Sequence, residues 1–371
     1  MIHDPKIITL GFGAEPHGIL HVLNSIVYRK PVTIYLVDPL TNIAELPYNE
    51  IKSLNNKESV FVIIFSAEGH AYREFRQIVN KLVDESRMIP KNICIHSSAL
   101  VDSDDSPVHL IGTISNLVGH TVHHLDLDPA RFFNVMQKPA HHYVCLNRLH
   151  RWERAAVVQD LFDRDLAQYG KISYASGSDD EVNIERVREV FKPEYRSMLP
   201  LLLDKEQVDY ESGFKVNNPN ITKALFNIVT ESAYEHPNVL NNPYISTIVA
   251  QHTAGITEKT FKAFVLGQVP ILVAPKGTVA ACRKLGFDMY DDVVDHSYDG
   301  EPNPRLRLKL IVNEVERLCK TYTIDDLSSL KKTLELRQDN NVKVMMSWRY
   351  NHARLLPAWV RYFKQQGACS E

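Results

Sequence analysis

Three arginines follow an apolar, strand-like run and lie where a helical pattern begins. Arg148, Arg151 and Arg154 come after the run 142–146, in the stretch Asn-Arg-Leu-His-Arg-Trp-Glu-Arg. Guanidinium groups are permanently charged and donate paired hydrogen bonds to phosphate oxygens. A cation at a helix start opposes the helix dipole, which favours anions there. We therefore expect at least one of the three to contact phosphate; ion pairing with acidic side chains of the same helix is the alternative.

A lysine holds the same electrostatically unfavourable position in a later helix. The sequence predicts a helix from Thr257 to Leu266, with Thr257 as its N-cap and Lys259 in its first turn. A bound diphosphate would contact Lys259 and the unpaired backbone amides together. The structural alternative is an i,i+4 pair between Glu258 and Lys262, worth only ~0.3–0.5 kcal/mol.

Carboxylates end several of the strand-like runs. Glu231 follows the apolar run 224–230, where its two oxygens suit hydrogen bonds to ribose hydroxyls. Glu15 and Glu68 follow the first and third runs of the chain. Because ligands bind at the carboxyl ends of parallel strands, we expect Glu15 or Glu68 to serve as a general base. Helix capping or solvent exposure is the alternative for each of them.

The elements that must position these residues alternate between apolar strands and amphipathic helices. This pattern predicts parallel sheets covered on both faces, arranged as two Rossmann-like, doubly wound α/β domains that face a cleft. We expect an N-terminal acceptor domain over 1–139 and a nucleotide-binding domain over 140–340. A C-terminal helical extension, 341–371, is expected to pack back on the N-terminal domain.

Composition narrows the classes of protein that remain. The chain has 371 residues, 42 basic and 45 acidic, and a net charge of −3, which argues against general polyanion binding. It has no run of ~18 uncharged apolar residues, so we expect no membrane span. Its N-terminus reads as a first strand rather than a signal peptide. The five cysteines are far apart, as is typical of reduced thiols in the cytoplasm.

A glycine-containing loop after the first strand keeps a different chemistry open. Gly11, Gly13 and Gly18 only partly match the dinucleotide fingerprint, and Asp38 imitates its ribose-binding acid. A nicotinamide-dependent oxidoreductase, NAD(P)-linked, is therefore one alternative. A non-catalytic nucleotide-binding protein built on two α/β lobes is another.

Aromatic and basic residues interleave near the C-terminus, between Trp348 and Lys364. Such a stretch could stack on bases or sugars while its cations meet phosphate. The commoner structure is a helix whose aromatic residues pack on a core. The first interpretation would make DNA the acceptor, and the second a glycan.

Two of these stretches together resemble the donor-binding half of GT-B glycosyltransferases. The strand ending Thr-Glu-Ser at 230–232 and the run Ile-Thr-Glu-Lys-Thr-Phe-Lys-Ala-Phe-Val-Leu-Gly-Gln-Val-Pro at 256–270 are similar to the α1,3-fucosyltransferase signature. The resemblance implies that Glu231, Glu258 and Lys259 bind a nucleotide sugar. Ser232 follows Glu231 directly, whereas the family has an intervening Asn. The arginine stretch and the segment 285–299 look like bacterial and phage glycosyltransferase-like proteins.

Together these features predict sugar transfer from a nucleoside diphosphate sugar to a hydroxyl of a glycan or of hydroxymethylated DNA. The reaction is expected to be an inverting displacement in which Glu15 or Glu68 deprotonates the acceptor. It is expected to need no metal or cofactor, because the Asp-x-Asp strings at 126–128 and 163–165 end no clear strand. We expect a cytoplasmic enzyme of a bacterium or a virus-infected cell. The predicted general bases are Glu15 and Glu68, and the predicted donor-binding residues are Arg148, Arg151, Arg154, Glu231, Ser232, Thr257, Glu258 and Lys259.

Overall fold

A computed structural model of the chain shows two compact α/β units. It describes residues 2–10, 17–37, 46–54, 60–66, 72–97, 109–112, 138–148, 150–174, 190–203, 219–231, 234, 256–348 and 352–369. The first unit contains the first five strands, the first three helices and the last helix. The second contains the other four strands and the helices between them, with nearly all of the long helix that follows.

The first unit is built on a five-stranded parallel sheet. Its strands are rich in Val, Ile and Phe and are buried on both faces in the centre, as a covered parallel sheet requires. They lie side by side in chain order: β1 (Lys6–Leu10), β2 (Thr33–Val37), β3 (Val60–Ser66), β4 (Ile93–Ser97) and β5 (His109–Gly112).

Helices cover both faces of this sheet. On one face α1 (His17–Asn24) packs with the C-terminal helix α11 (His352–Gln365) against β2 and β3. Trp359, Tyr362 and Phe363 of α11 are fully buried there. On the other face lie α2 (Tyr48–Leu54) and α3 (Tyr72–Asp84). The last helix therefore completes the core of the first unit.

The second unit contains a four-stranded parallel sheet whose order reverses. The chain enters at β6 (His141–Asn147), places β7 (Gly170–Tyr174) on one side of it, and returns to place β8 (Ala224–Thr230) on the other, next to β9 (Val269–Val273). The point between β6 and β8 is thus a topological switch point, where connections leave in opposite directions. Open α/β sheets bind ligands in the crevice outside the carboxyl ends of such strands.

The helices of the second unit pack on this sheet and on one another. The helix that begins at Glu258 contacts β8 and β9. The helix that begins at Pro304 contacts β9 and the helix that begins at Trp152. Asn303 caps the helix that begins at Pro304: its side chain accepts hydrogen bonds from the amides of Arg305 and Leu306. Within the described residues, the helices of this unit are α4 (Trp152–Asp163), α5 (Pro193–Arg196), α6 (Pro219–Thr222), α7 (Glu258–Val265), α8 (Thr278–Lys284), α9 (Pro304–Thr321) and α10 (Ile324–Trp348).

The α/β class with parallel sheets is confirmed, and one feature differs from the expected winding. The first sheet follows chain order throughout, whereas a doubly wound sheet reverses once. All five cysteines are free and buried, and burial raises the pKa of the Cys145 and Cys319 thiols to about 12. Within the described residues, no helix combines the length and apolar character needed to cross a membrane.

Candidate nucleotide-binding site

The carboxyl ends of β6 and β8 are joined by a buried hydrogen bond. The hydroxyl of Thr230, the last residue of β8, donates to Oδ1 of Asn147, the last residue of β6, at 2.5 Å. The backbone amide of Asn147 donates to the Ser173 hydroxyl on β7 at 3.2 Å. We call the place where these strands end the β6–β8 edge; it includes the first turns of α4 and α7, which begin there. Side chains from three strands hold it together.

Glu231 ties α7 to this edge. Its backbone amide donates to the carbonyl of Val273 on β9 at 3.0 Å, which extends the β8–β9 pairing by one residue. Its side chain is fully buried, and Oε1 accepts a hydrogen bond from the Thr260 hydroxyl at 2.5 Å. Lys259 precedes Thr260 and is partly exposed. The structure therefore places Lys259 beside the end of β8, and one carboxylate oxygen of Glu231 is engaged within the protein.

The three arginines separate into two environments. Arg148 and Arg151 are partly exposed, and Arg154 is buried. Arg151 occupies the N-cap position of α4 in an extended conformation (φ −147°, ψ 153°) and makes no side-chain capping hydrogen bond. The amides of the first turn of α4 thus receive no cap from the residue that usually supplies one. Arg148 and Arg151 combine exposure with the positive end of a helix dipole.

Arg154 lies inside the protein with two buried carboxylates. Burial lowers its pKa and the charge of Arg151 lowers it further, while the charges of Glu153 and Glu231 raise it. Glu153 is 3% exposed; burial raises its pKa, which its own backbone amide and the two arginines partly offset. The opposite charges of Arg154 and these two carboxylates favour one another in a place where isolated charges would be costly. Arg154 is therefore a buried charge of this edge, in contrast to Arg148 and Arg151.

His150 and Tyr174 add a polar pair that the sequence patterns did not single out. Nδ1 of His150, in the loop between β6 and α4, lies 2.5 Å from the hydroxyl of Tyr174, which is fully buried at the end of β7. Asn147, Thr230, His150 and Tyr174 all lie at strand ends or directly after them. Their position after a buried run was the one available signal, since neither Asn nor Tyr marks a ligand site by type.

The structure describes some of the remaining predicted site residues and not others. Thr257 is buried and directly precedes α7, as expected for its N-cap position, and the backbone alone of Glu258 is described. Glu15, Glu68 and Ser232 lie outside the described residues, as does Asp38. Their predicted roles stay predictions. The structure places Arg148, Arg151, Arg154, Glu231 and Lys259 on the second unit, after β6 or β8 or in the first turns of α4 and α7.

The segment 285–299 forms a structural scaffold. Both carboxylate oxygens of Asp299 accept hydrogen bonds at 3.0 Å from the amides of Val279 and Ala280, at the start of α8. His296 bonds through Nδ1 to the Tyr298 hydroxyl at 2.9 Å and through Nε2 to the Met289 carbonyl at 2.8 Å. The positive end of α8 is therefore occupied by a carboxylate of the chain itself.

Three C-terminal aromatic residues pack in the core of the first unit. Trp359, Tyr362 and Phe363 are each 0% exposed, so these rings are not available to stack on a nucleic acid. They instead pack with Tyr28 and Phe61; the Tyr28 and Phe363 ring centroids lie 5.3 Å apart. The packing interpretation therefore holds for these three rings; the side chain of Trp348 and residue Tyr350 lie outside the described part of the chain, and the acceptor stays a prediction.

Among the described residues, no group of three His, Cys, Asp or Glu side chains is arranged to hold a metal ion. Comparison of the chain with protein-family models, with curated proteins and with solved structures returned no match. The functional conclusion therefore depends on the chemistry and position of the residues at the β6–β8 edge.

Proposed function

We propose that the protein is a glycosyltransferase that binds a nucleoside diphosphate sugar at the β6–β8 edge of its second unit and transfers the sugar to a hydroxyl acceptor. In this proposal its two α/β units correspond to the acceptor and donor domains of the GT-B type. Arg148, Arg151 and Lys259 contact the diphosphate. Arg154 and Glu231 hold the edge in shape.

One observation carries the proposal: partly exposed cations lie at or near the starts of two helices, which begin after the neighbouring strands β6 and β8. Arg151 occupies the N-cap position of α4 and makes no side-chain capping hydrogen bond there, and Lys259 lies in the first turn of α7. The Thr260–Glu231 and Thr230–Asn147 hydrogen bonds bring both helix starts to the ends of adjacent strands. Helix N-termini and arginine favour anions, and a diphosphate is the anion that such a crevice in an α/β sheet commonly holds.

The proposed reaction has the following steps. The acceptor oxygen attacks the anomeric carbon, the bond from that carbon to the diphosphate oxygen breaks, and a base takes the acceptor proton. Negative charge grows on the departing diphosphate, and the cations stabilise it as it forms. Glu15 and Glu68 remain the predicted candidates for the base, which would give an inverting displacement. Ribose contact by Glu231 also stays a prediction.

The test is a binding screen followed by a turnover assay. Thermal stability of the full chain is measured with uridine, guanosine, adenosine, cytidine and thymidine diphosphates, with NAD(P) and with pyrophosphate. Nuclear magnetic resonance then follows hydrolysis or transfer of the sugar from the nucleoside diphosphate sugar that binds best. We expect one nucleoside diphosphate to raise the melting temperature and its sugar conjugate to be cleaved slowly by water.

Arg151→Ala tests the residue assignment in the same assays. It should abolish both the thermal shift and the cleavage, whereas Arg305→Ala, on the exposed start of α9, should leave them unchanged. Stabilisation by NAD(P) alone would instead support an oxidoreductase. Nucleotide binding without any sugar release would indicate a binding protein, and no response to any of these ligands would reject the anion site.

A further inference from the structure

An aromatic pair lies directly beside the β6–β8 edge. Trp152, the first residue of α4, follows Arg151, and Tyr234 follows the end of β8 by four residues. The two rings meet edge to face, with centroids 5.5 Å apart and planes at 69°. Both side chains are partly exposed. The switch point thus has aromatic surface immediately next to its cations.

Tyr234 is held from two further directions. The guanidinium of Arg307, a side chain only 1% exposed, lies over the Tyr234 ring at 4.9 Å from its centroid. The Tyr234 hydroxyl donates to the carbonyl of Pro304 at 2.8 Å. Arg307 in turn donates through Nη1 to the Glu301 carbonyl at 2.5 Å. The ring is therefore fixed in orientation by the start of α9, and it supports Trp152.

We propose that Trp152 and Tyr234 form the subsite for the nucleobase of the donor, with Trp152 as the stacking surface. This inference rests on the proposed function, because it assumes that a diphosphate binds at Arg148 and Arg151. A planar base is attached to the diphosphate through ribose and must lie within a few ångströms of it. A partly exposed indole one residue from Arg151, packed against the anchored Tyr234, is suited to stack on any base through its face.

This arrangement has a consequence for selectivity. Stacking contributes affinity with little dependence on which base is bound, because every base has an aromatic face. Removing the indole should therefore weaken nucleoside diphosphates in general and leave pyrophosphate binding unchanged. A residue that merely shaped the helix start would affect both kinds of ligand equally.

The experiment compares Trp152→Leu, Trp152→Phe and the unchanged protein by calorimetric titration with uridine diphosphate, guanosine diphosphate and pyrophosphate. We expect Trp152→Leu to weaken the better nucleoside diphosphate about tenfold. Trp152→Phe should restore most of the loss, and pyrophosphate should bind all three proteins alike. Phe162→Leu is the matched control, since Phe162 lies at the far end of the same helix and stacks on Tyr195, with ring centroids 5.2 Å apart. This control should bind nucleoside diphosphate and pyrophosphate as tightly as the unchanged protein does.

Intrinsic fluorescence provides a second measurement that does not depend on Trp152→Leu folding. The chain has three tryptophans, and Trp359 is fully buried in the first unit. Stacking should quench the emission of Trp152 when the nucleoside diphosphate is added, and pyrophosphate should not. The quench should disappear in Trp152→Phe.

The outcomes separate this proposal from the one it rests on. If the unchanged protein binds a nucleoside diphosphate and Trp152→Leu binds it equally well, the base subsite is refuted and the anion site stands. Equal weakening of pyrophosphate and nucleoside diphosphate would also refute the subsite. If the unchanged protein binds neither ligand, both proposals fall.

Discussion

The hydroxyl of Thr230 donates a hydrogen bond to Oδ1 of Asn147 at 2.5 Å, with both side chains buried. Thr230→Val keeps the shape of the side chain and leaves that amide oxygen without its donor. Because an unsatisfied buried acceptor is costly, we expect the free energy of unfolding to fall by about 1–3 kcal/mol. Urea denaturation measures this, with the exposed Thr333→Val on α10 as control. Equal losses in the two variants would contradict the importance of the contact.

Lys259 should act on phosphate and not on the nucleoside. We expect Lys259→Ala to weaken nucleoside diphosphate and pyrophosphate binding by about tenfold each, the size of one charge-assisted contact of ~1.4 kcal/mol. Binding of the nucleoside alone should not change. Lys262→Ala, three residues further along α7, is the control in the same calorimetric titrations. A comparable loss for the nucleoside would mean that Lys259 does not touch phosphate.

His96 should make the first unit sensitive to acid. It is 0% exposed and stacks on Trp359 at 5.1 Å, and burial lowers its pKa to about 3. The unfolded chain binds a proton near pH 6.5, while the folded chain does not until about pH 3. Stability is therefore fully present above pH 6.5 and declines as the pH falls toward 3.

Between pH 7.5 and 5 this one group should reduce the free energy of unfolding by about 2 kcal/mol. His96→Phe keeps an aromatic ring against Trp359 and cannot be protonated, so it should remove that part of the pH dependence. Urea unfolding at several pH values checks it, with the exposed His21→Phe as control. An unchanged slope in His96→Phe would show that acid acts elsewhere.

Asp299 should stabilise α8 through both carboxylate oxygens. Asp299→Asn retains one acceptor and Asp299→Ala retains neither, so we expect losses of about 1 and about 2 kcal/mol in the free energy of unfolding. Asp295→Asn, at an exposed turn, should cost less than either. The ordering of the three variants in chemical denaturation is the result to examine; identical stabilities for Asp299→Asn and Asp299→Ala would contradict a two-oxygen cap.

Several elements could be predicted from pattern alone, and lateral order could not. The runs at Val60–Ser66 and Val269–Val273 are continuous, apolar and β-branched, which is sufficient to predict buried parallel strands. β5 cannot be predicted in this way, because His109–Gly112 is short and has no amphipathic helix pattern directly before it. Strands buried on both faces look alike in sequence, so nothing in their composition reports which neighbour each one pairs with.

The charged residues of the candidate site could be predicted from the sequence, but which of them are buried could not. Arg148, Arg151 and Lys259 stand out because a cation at a helix start is unfavourable by itself. The sequence does not distinguish Arg154, which is buried and whose pKa is lowered by burial and raised by the charges of Glu153 and Glu231, from the partly exposed Arg148 and Arg151. That difference depends on which side of α4 faces the sheet. The Thr260–Glu231 contact likewise joins residues 29 positions apart, beyond any local pattern.

The pairing of α1 with α11 has a consequence for biosynthesis. Two rings of α11, Tyr362 and Phe363, lie against Phe61 of β3. The backbones of Tyr28 and Cys369 pair in an isolated antiparallel β-bridge. Translation therefore has to produce the whole second unit before the first can close its apolar surface. Until then a nascent chain exposes the face of the first sheet that α1 and α11 cover together. We expect chaperones to be needed at this stage. Ribosome-bound chains halted before His352 should bind a hydrophobic dye more strongly than chains halted after the last helix has emerged.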